Sequence, residues 1–365
     1  MVDWVHEHVK VHPEGVFTDL FFFAEESCHG YSRTYETPLS RSGFVFLEKR
    51  QGSSEMKKSI AFFANGLGNF VLMMPALQAV ASLSTFKKVD ICLDDRWDDS
   101  RRPAVMDICR AWECVDKIFS WPKEQFRESD YKYWFVSGHG ETGSAVVPVF
   151  LKRCPILAKP NWIRTSMHEE DHYFHISRII GYMGDFPEVN FPLAPDPILN
   201  LPRPIIGLCN GWFRTRRKAW EKKGWPHFTA LSRVMKNYFG GSVIGLGGPG
   251  EMPEDAALDA DYCGKLPILN SAKALSQVDL LVTTDTGLMH IANLLKTPLI
   301  ALFGPTLVSK NGPRHPGASV IQSSVDCAPC LEKTAFYNCA KNLCMDSITV
   351  SDVMVLAKDK LKGIH

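Results

Sequence analysis

The stretch TTDTGLMHIANLLKTPLIALFGPT, residues 283–306, carries the clearest indication of the fold. The run VDLLV at 278–282 precedes it and has the apolar character of a buried strand. Residues 288–295 are predicted to form a helix, and PLIALFGPT at 298–306 a second strand. Strands that alternate with helices at this spacing are typical of a parallel sheet. Asp285 therefore stands where a strand delivers a carboxylate to the start of a helix.

The same alternation extends through the rest of the chain. SIAFFANGLGNFVLMMPALQAVASL at 59–83 reads as strand, glycine turn and helix, and KKVDICLDD at 87–95 as a further strand. IIGLCNG at 205–211 and SVIGLGGPGE at 242–251 each read as a strand followed by a glycine turn. FPLAPDPILNLPRP at 191–204 contains five prolines, which exclude a helix or a central strand, so we place a linker there. The sequence predicts an α/β protein of two Rossmann-like domains with a cleft between them.

The predicted division of the 365 residues has four parts. An N-terminal extension, 1–56, is expected to pack on the first domain. The two Rossmann-like domains are predicted at 57–195 and 196–349, and the second carries a cysteine cluster. Residues 350–365 are expected to form a C-terminal helix that returns to the N-terminal domain.

Charge and hydropathy exclude several classes of partner. The chain has 41 basic and 40 acidic residues, so no polyanionic partner is demanded and there is no strong nucleic-acid signal. Its apolar stretches fall short of the roughly 20 residues that cross a bilayer, so no transmembrane segment is predicted. The first residues lack the apolar centre of a signal peptide. We therefore expect a cytoplasmic protein; its oligomeric state is left open.

The position of Asp285 indicates a ligand that carries both an anion and hydroxyl groups. Thr286 and Gly287 stand where the helix begins, and the first backbone N–H groups of a helix attract anionic oxygen. A carboxylate beside a phosphate would be repelled unless it accepted hydrogen bonds from hydroxyls of a sugar attached to that phosphate. The alternative is that Asp285 simply caps the helix.

At this point the chain resembles a known family. DTGLMHIANLLKTPLIALFGPT resembles the C-terminal signature of glycosyltransferase family 9, the ADP-heptose:lipopolysaccharide heptosyltransferases and their relatives. GLGNFVLMMPAL, SGHGETGSA, NGWFRTRRKAWEKKGWP and GLGGPGE are similar to other motifs of that family, in the same order. The resemblance covers about residues 59–350 and leaves the N-terminal extension unexplained.

The resemblance implies a GT-B fold and a division of labour between the domains. The first would bind the acceptor and the second a nucleotide diphosphate sugar, with ADP-heptose the expected donor. It also implies an inverting glycosyltransferase that needs no catalytic metal and transfers heptose to an acceptor hydroxyl. The acceptor could be a glycan such as the lipopolysaccharide core, a lipid-linked glycan or a protein.

The resemblance also assigns the donor-site residues. Lys223 would contact phosphate, Glu251 would bind the ribose, and His290 would join Asp285, Thr286 and Gly287 at the sugar nucleotide. The alternatives are a solvated face for the basic run, an exposed loop position for Glu251 and a neutral core histidine for His290.

One departure concerns the catalytic base. The family carries Asp after the N-terminal glycine, whereas this chain has Asn69, and an amide cannot take up a proton in the useful pH range. His139 and Glu141, in VSGHGETG, are the candidates for the missing base. The alternative function is a catalytically impaired pseudoenzyme or scaffold that still binds a nucleotide sugar. A nucleotide-sugar epimerase is a third hypothesis.

The C-terminal segment CAPCLEKTAFYNCAKNLCM carries Cys327, Cys330, Cys339 and Cys344. Their spacing is short enough for one tetrahedral zinc or iron ion, so a structural metal is expected here. Some relatives in the family hold iron at a comparable segment. Free thiols or two disulfides are the alternatives, and disulfides are disfavoured in a reducing cytosol.

Overall fold

The computed structural model describes residues 57–63, 66–94, 102–121, 123–136, 167–211, 218–330, 336 and 339–363. The predicted N-terminal extension, His139 and Glu141 lie outside these residues.

Strands and helices alternate along the described chain, as the sequence predicts. The strands are β1 Lys58–Phe63, β2 Val89–Asp94, β3 Val115–Trp121, β4 Tyr131–Val136, β5 Ile205–Cys209, β6 Ser242–Gly245, β7 Ala260–Asp261, β8 Leu280–Thr284, β9 Leu299–Phe303 and β10 Ala318–Gln322. The helices are α1 Leu67–Leu83, α2 Arg102–Ala111, α3 Glu169–Ile180, α4 Phe228–Phe239, α5 Ile268–Leu275, α6 Gly287–Leu294, α7 Val308–Asn311, α8 Leu343–Asp346 and α9 Val350–Lys360, with 3-10 turns at Glu128–Asp130 and Lys218–Lys223.

The N-terminal half is built on a parallel sheet. Within the described residues its strand order is β3-β2-β1-β4. Every residue of β2 is buried, as expected for a strand covered on both faces. The chain leaves β1 towards β2 and later returns to the other side of β1 with β4. This reversal of strand order opens a crevice at the carboxyl ends of β1 and β4.

The C-terminal half repeats this design with a second parallel sheet. Its order, over the residues described, is β10-β9-β8-β5-β6-β7. The reversal falls between β5 and β8, which pair directly from Ile206 with Leu280 to Cys209 with Thr283. The carboxyl ends of these two strands therefore form the second crevice.

The two halves share part of their hydrophobic core. Helix α1 is apolar on most faces and is buried along most of its length, because it lies between the first sheet, α3 and α6. The largest cluster of buried apolar side chains joins Phe63 and Leu77 of the first half to Ile205, Leu281 and Leu288 of the second. The N-terminal ends of α1 and α6 thus meet between the two sheets.

The linker and the C-terminal helix complete the fold. Residues 185–202 contain no regular helix or strand, in agreement with the proline-rich linker that the sequence predicts. The predicted return of the C-terminal helix to the N-terminal domain is wrong for the described residues. Helix α9 packs on β9, β10 and α4, and its Val353 and Ala357 are buried in the core of the C-terminal half. The apolar stripe of α9 is short, and it packs on the C-terminal sheet, which is already next to this part of the chain.

Candidate functional site

The site begins where β8 passes into α6. Thr286 is the N-cap residue of α6, and its side chain accepts a hydrogen bond from the backbone N–H of Met289 at 3.2 Å. Asp285 is therefore not the cap, and this alternative reading of the sequence is wrong. Only 8% of Asp285 is exposed. A buried carboxylate requires a polar or charged partner.

Lys223 supplies that partner. Its Nζ donates a hydrogen bond to Asp285 Oδ2 at 2.7 Å, and 17% of the lysine side chain is exposed. The lysine ends the 3-10 turn Lys218–Lys223, which follows β5 in the chain. Lys223 and Asp285, which lie 62 positions apart in the sequence, therefore meet at the reversal point of the second sheet.

The segment that carries Lys223 is held by Trp225 and Asn210. The backbone N–H of Trp225 donates to Asn210 Oδ1 at 2.8 Å, and the indole N–H donates to the carbonyl of Ile348 at 2.9 Å. The Thr284 hydroxyl donates to the carbonyl of Asn210, which ties the turn after β5 to the end of β8. Because the indole is buried, its bond is costly to break. These contacts fix the backbone just after the lysine and tie it to the end of β5.

His290 lies on the next turn of α6, beside Asp285. Its Nε2 is 3.7 Å from Asp285 Oδ1, which is longer than a hydrogen bond. Burial lowers the pKa of His290 to about 4, although the charges of Asp285 and Glu169 oppose the shift. The ring is therefore neutral near pH 7. The structure places it in the predicted site.

Glu251 approaches from the turn after β6. Only 8% of it is exposed, which excludes the alternative of an open loop position. Gly247 has φ +148°, and a Cβ at that position would lie 2.2 Å from Glu251 Oε2. Burial, the larger cause, and the charge of the Glu251 carboxylate together raise the pKa of Cys209 to about 12. Because Cys209 is the last residue of β5, Glu251 lies near the end of that strand. The glycine turn thus makes room for the carboxylate at the same edge of the sheet.

The N-terminal half contributes Asn69 and a carboxylate that the sequence analysis missed. Asn69 Nδ2 donates to Glu169 Oε2 at 3.0 Å and lies 3.5 Å from the Tyr173 hydroxyl. A Cβ on the neighbouring Gly68 would lie 2.9 Å from His290 Cδ2, so the start of α1 touches α6. The sequence EED at 169–171, followed by apolar residues at helical spacing, is the signal of a helix start that could have indicated α3.

The four C-terminal cysteines lie near one another. Burial raises the pKa of Cys344 to about 11, and the sulfurs of Cys330, Cys327 and Cys339 add to the shift. The Cys344 thiol donates to Asn342 Oδ1 at 3.7 Å, and all four cysteines are free of disulfides. In the described part of the chain no group of three or more His, Cys, Asp or Glu side chains is arranged to hold a metal ion. The structural zinc or iron that the sequence predicts at these cysteines stays a prediction.

The cysteine segment has a contact with the turn that carries Lys223. Lys222 Nζ donates to the carbonyl of Phe336 at 2.6 Å and lies 5.6 Å from the centre of its ring. Lys222 thus binds the segment between the cysteines. Separately, no helix of the described residues is both long enough and apolar enough to cross a lipid bilayer. The cytoplasmic location stays a prediction.

Comparison with known proteins agrees with the fold and the motifs. Residues 186–341 match the model of glycosyltransferase family 9 (heptosyltransferase). Lipooligosaccharide heptosyltransferase 2 of Campylobacter jejuni is 31% identical over 106 residues, which are 29% of this chain and 33% of that protein. The chain thus matches about a third of the length of this relative.

Solved structures match over most of the chain. A family 9 glycosyl transferase of Veillonella parvula has a TM-score of 0.64 at 16% identity, and the match covers 86% of this chain and 99% of that one. TibC of enterotoxigenic Escherichia coli, described as a dodecameric iron-containing heptosyltransferase in complex with ADP-D-beta-D-heptose, has a TM-score of 0.58 at 16% identity, with 90% and 80% covered. The predicted GT-B fold, with two Rossmann-like halves and a cleft, is confirmed. In its motifs, its fold and these relatives, the chain is similar to glycosyltransferase family 9, the heptosyltransferase family, and the match to the family model covers residues 186–341.

Proposed function

We propose that the chain is an inverting glycosyltransferase that transfers heptose from ADP-heptose to an acceptor hydroxyl without a catalytic metal ion. The second half, 196–349, would bind the donor, and the first half, 57–195, the acceptor. The observation that carries the proposal is the buried pair of Lys223 and Asp285 at the reversal point of the second sheet. A cation and a carboxylate side by side suit a ligand that has a phosphate next to sugar hydroxyls. The TibC structure was solved with ADP-heptose, which supports this choice of donor.

The chemistry that this arrangement can perform follows from its charges. The free N–H groups at the start of α6 and the ammonium of Lys223 would stabilise the diphosphate as negative charge grows on it. Asp285 would accept hydrogen bonds from hydroxyls of the sugar, and Glu251 from the ribose diol. Neutral His290 can donate or accept one hydrogen bond at the same place. A cationic side chain thus takes the part that a metal ion plays in other transferases.

Replacement of Lys223 by Met tests the donor site. We expect the Kd for ADP, measured by isothermal titration calorimetry, to rise about 10- to 100-fold, because a hydrogen bond to a charged group contributes roughly 1.5–3 kcal/mol. Lys222→Met is the matched control, since Lys222 binds the carbonyl of Phe336 and should leave the affinity for ADP within about twofold. An equal loss in both variants, or no binding of ADP to the unaltered protein, would contradict the proposed function.

A further inference from the structure

A group of polar side chains extends from one half of the molecule to the other, where the start of α1 touches His290. We call Lys223, Asp285, His290, Glu169 and Asn69 the interdomain polar cluster. Lys223 binds Asp285, Asp285 lies beside His290, and the charges of both Asp285 and Glu169 act on His290. Asn69 then holds Glu169 from the first half at 3.0 Å. The cluster therefore contains one carboxylate from each half of the molecule.

Glu169 is the carboxylate on the acceptor side of this cluster. It is the first residue of α3 and only 7% of it is exposed. Its two neighbours in the EED run face elsewhere: Asp171 pairs with both terminal nitrogens of Arg314, and Glu170 lies 3.6 Å from the same guanidinium. Within this run, Glu169 is thus the member that Asn69 holds and whose charge acts on His290.

Asn69 positions this carboxylate and cannot replace it. Its Nδ2 donates to Glu169 Oε2 and lies within reach of the Tyr173 hydroxyl, one turn further along α3. Both contacts use the amide as a donor, so they orient the carboxylate without taking a proton from anything. An amide has no useful basicity near neutral pH, whereas a carboxylate accepts protons as a general base. The pair thus divides orientation and basicity between two residues.

We propose that Glu169 is the catalytic base of the transfer reaction, an inference that rests on the proposed function. One oxygen of Glu169 takes the proton of the acceptor hydroxyl as that hydroxyl oxygen forms a bond to the anomeric carbon of heptose. The bond from the anomeric carbon to the diphosphate breaks, and its electron pair leaves with ADP, whose added charge Lys223 and the start of α6 stabilise. With water as acceptor the same step gives free heptose, ADP and a proton.

The test compares Glu169→Gln with Glu170→Gln, two adjacent buried carboxylates that face different partners. The unaltered protein, with ADP-heptose and water as the acceptor, is assayed for ADP release, and ADP binding is measured in parallel. We expect Glu169→Gln to lower the rate about 10²- to 10⁴-fold and to leave the Kd for ADP within about threefold. Glu170→Gln should keep the rate within about threefold. The same comparison is made for His139→Ala and Glu141→Gln.

A rescue variant separates a base from a merely structural residue. In Asn69→Asp combined with Glu169→Gln, the carboxylate and the amide change places and can keep the hydrogen bond between them. We expect the rate of ADP release by this double variant to be at least tenfold higher than that of Glu169→Gln. Asn69→Asp alone puts two carboxylates in contact, which should move the acid limb of the pH–rate profile to higher pH.

The outcomes separate the two proposals. A protein that binds ADP and turns over, but loses its activity in His139→Ala or Glu141→Gln and not in Glu169→Gln, overturns the assignment of Glu169 and keeps the proposed function. Failure of the double variant to exceed Glu169→Gln also overturns the assignment. ADP binding without any turnover in the unaltered protein leaves Glu169 with no reaction to catalyse and overturns it too. Absence of ADP binding overturns the proposed function itself.

Discussion

His290 illustrates at the residue scale how burial sets the state of a side chain. The ring sits beside a carboxylate, yet burial lowers its pKa to about 4 and keeps it neutral. Desolvation therefore outweighs the attraction of Asp285 and Glu169. The sequence placed His290 in the site and left its charge open. A neutral imidazole can donate or accept a hydrogen bond without adding a second cation next to Lys223.

The lowered pKa predicts how stability depends on pH. Between pH 4 and 6.5 the folded state binds fewer protons at His290 than the unfolded state does, so stability rises with pH across this range. The contribution of neutral His290 to the free energy of unfolding is fully present above pH 6.5 and is lost as the pH falls towards 4. Relative to His290→Gln, the free energy of unfolding of the unaltered protein should fall by about 2 kcal/mol between about pH 6.5 and 5.

Urea unfolding of both proteins at several pH values checks this prediction. The charged and titratable groups that act on His290, namely Asp285, Glu169, His168 and Lys223, are present in both proteins, so their direct contributions largely cancel. Parallel curves of unfolding free energy against pH would show that the ring is already charged in the folded protein or is exposed to solvent.

At the scale of elements, the site depends on turns that bring loops after different strands into contact. The turn after β5 and the start of α6 are so close that only a glycine fits between them. Gly211 has φ +56°, and a Cβ there would lie 1.9 Å from Thr286 Cγ2. The sequence shows a glycine after this strand, but it does not show which neighbouring element requires it.

Gly211→Ala should therefore destabilise the fold by about 2–4 kcal/mol, since a positive φ and an overpacked contact both oppose the methyl group. Gly240→Ala is the matched control, because Gly240 also has a positive φ, of +68°, but a methyl group added there would meet no atom within 4 Å beyond its chain neighbours. It should cost only about 1–2 kcal/mol. Chemical denaturation measures both, and equal losses would refute the close contact with Thr286.

The strands that the sequence predicts have a stronger apolar pattern than the strand and the helix that it does not predict. Strands β2 and β8 are buried and apolar, and their pattern is visible without the structure. Strand β3, VDKIFSW, lies at the edge of its sheet, and after its first residue it is partly or fully exposed, so its apolar signal is weak. Helix α3 begins with three acidic residues and has an amphipathic rather than a continuously apolar pattern. The residue proposed here as the base was missed because its helix was missed.

At the scale of the whole molecule, the two halves are joined by a common core as well as by polar contacts. A Cβ on Gly287 would lie 2.9 Å from Leu67 Cδ2, which shows how closely α6 and α1 approach. His168 Nε2 lies 2.9 Å from the carbonyl of Gly312, and Arg314 pairs with Asp171 across the same boundary. The latter pair is half exposed, so it contributes at most about 1 kcal/mol. Apolar packing is therefore the main connection between the halves.

This shared core predicts that the halves unfold together. Differential scanning calorimetry should give one transition whose van't Hoff and calorimetric enthalpies agree. Leu77→Ala, at a fully buried position of the first half, should cost about 2–5 kcal/mol and shift the entire transition. Two separate transitions, of which only one moves in the variant, would show that the halves are thermodynamically independent.

The alternation of strands and helices, the proline-rich linker and the presence of Asp285 at the start of a helix can all be predicted from local sequence. These features depend on neighbouring residues, whose spacing and backbone chemistry are local properties of the chain. Tertiary structure was needed to show that Lys223 neutralises Asp285, that Glu169 stands beside Asn69 and that helix α9 stays on the C-terminal half. Contacts between residues far apart in the chain depend on how the two sheets reverse their strand order and on which apolar faces fit each other, and no local pattern records either.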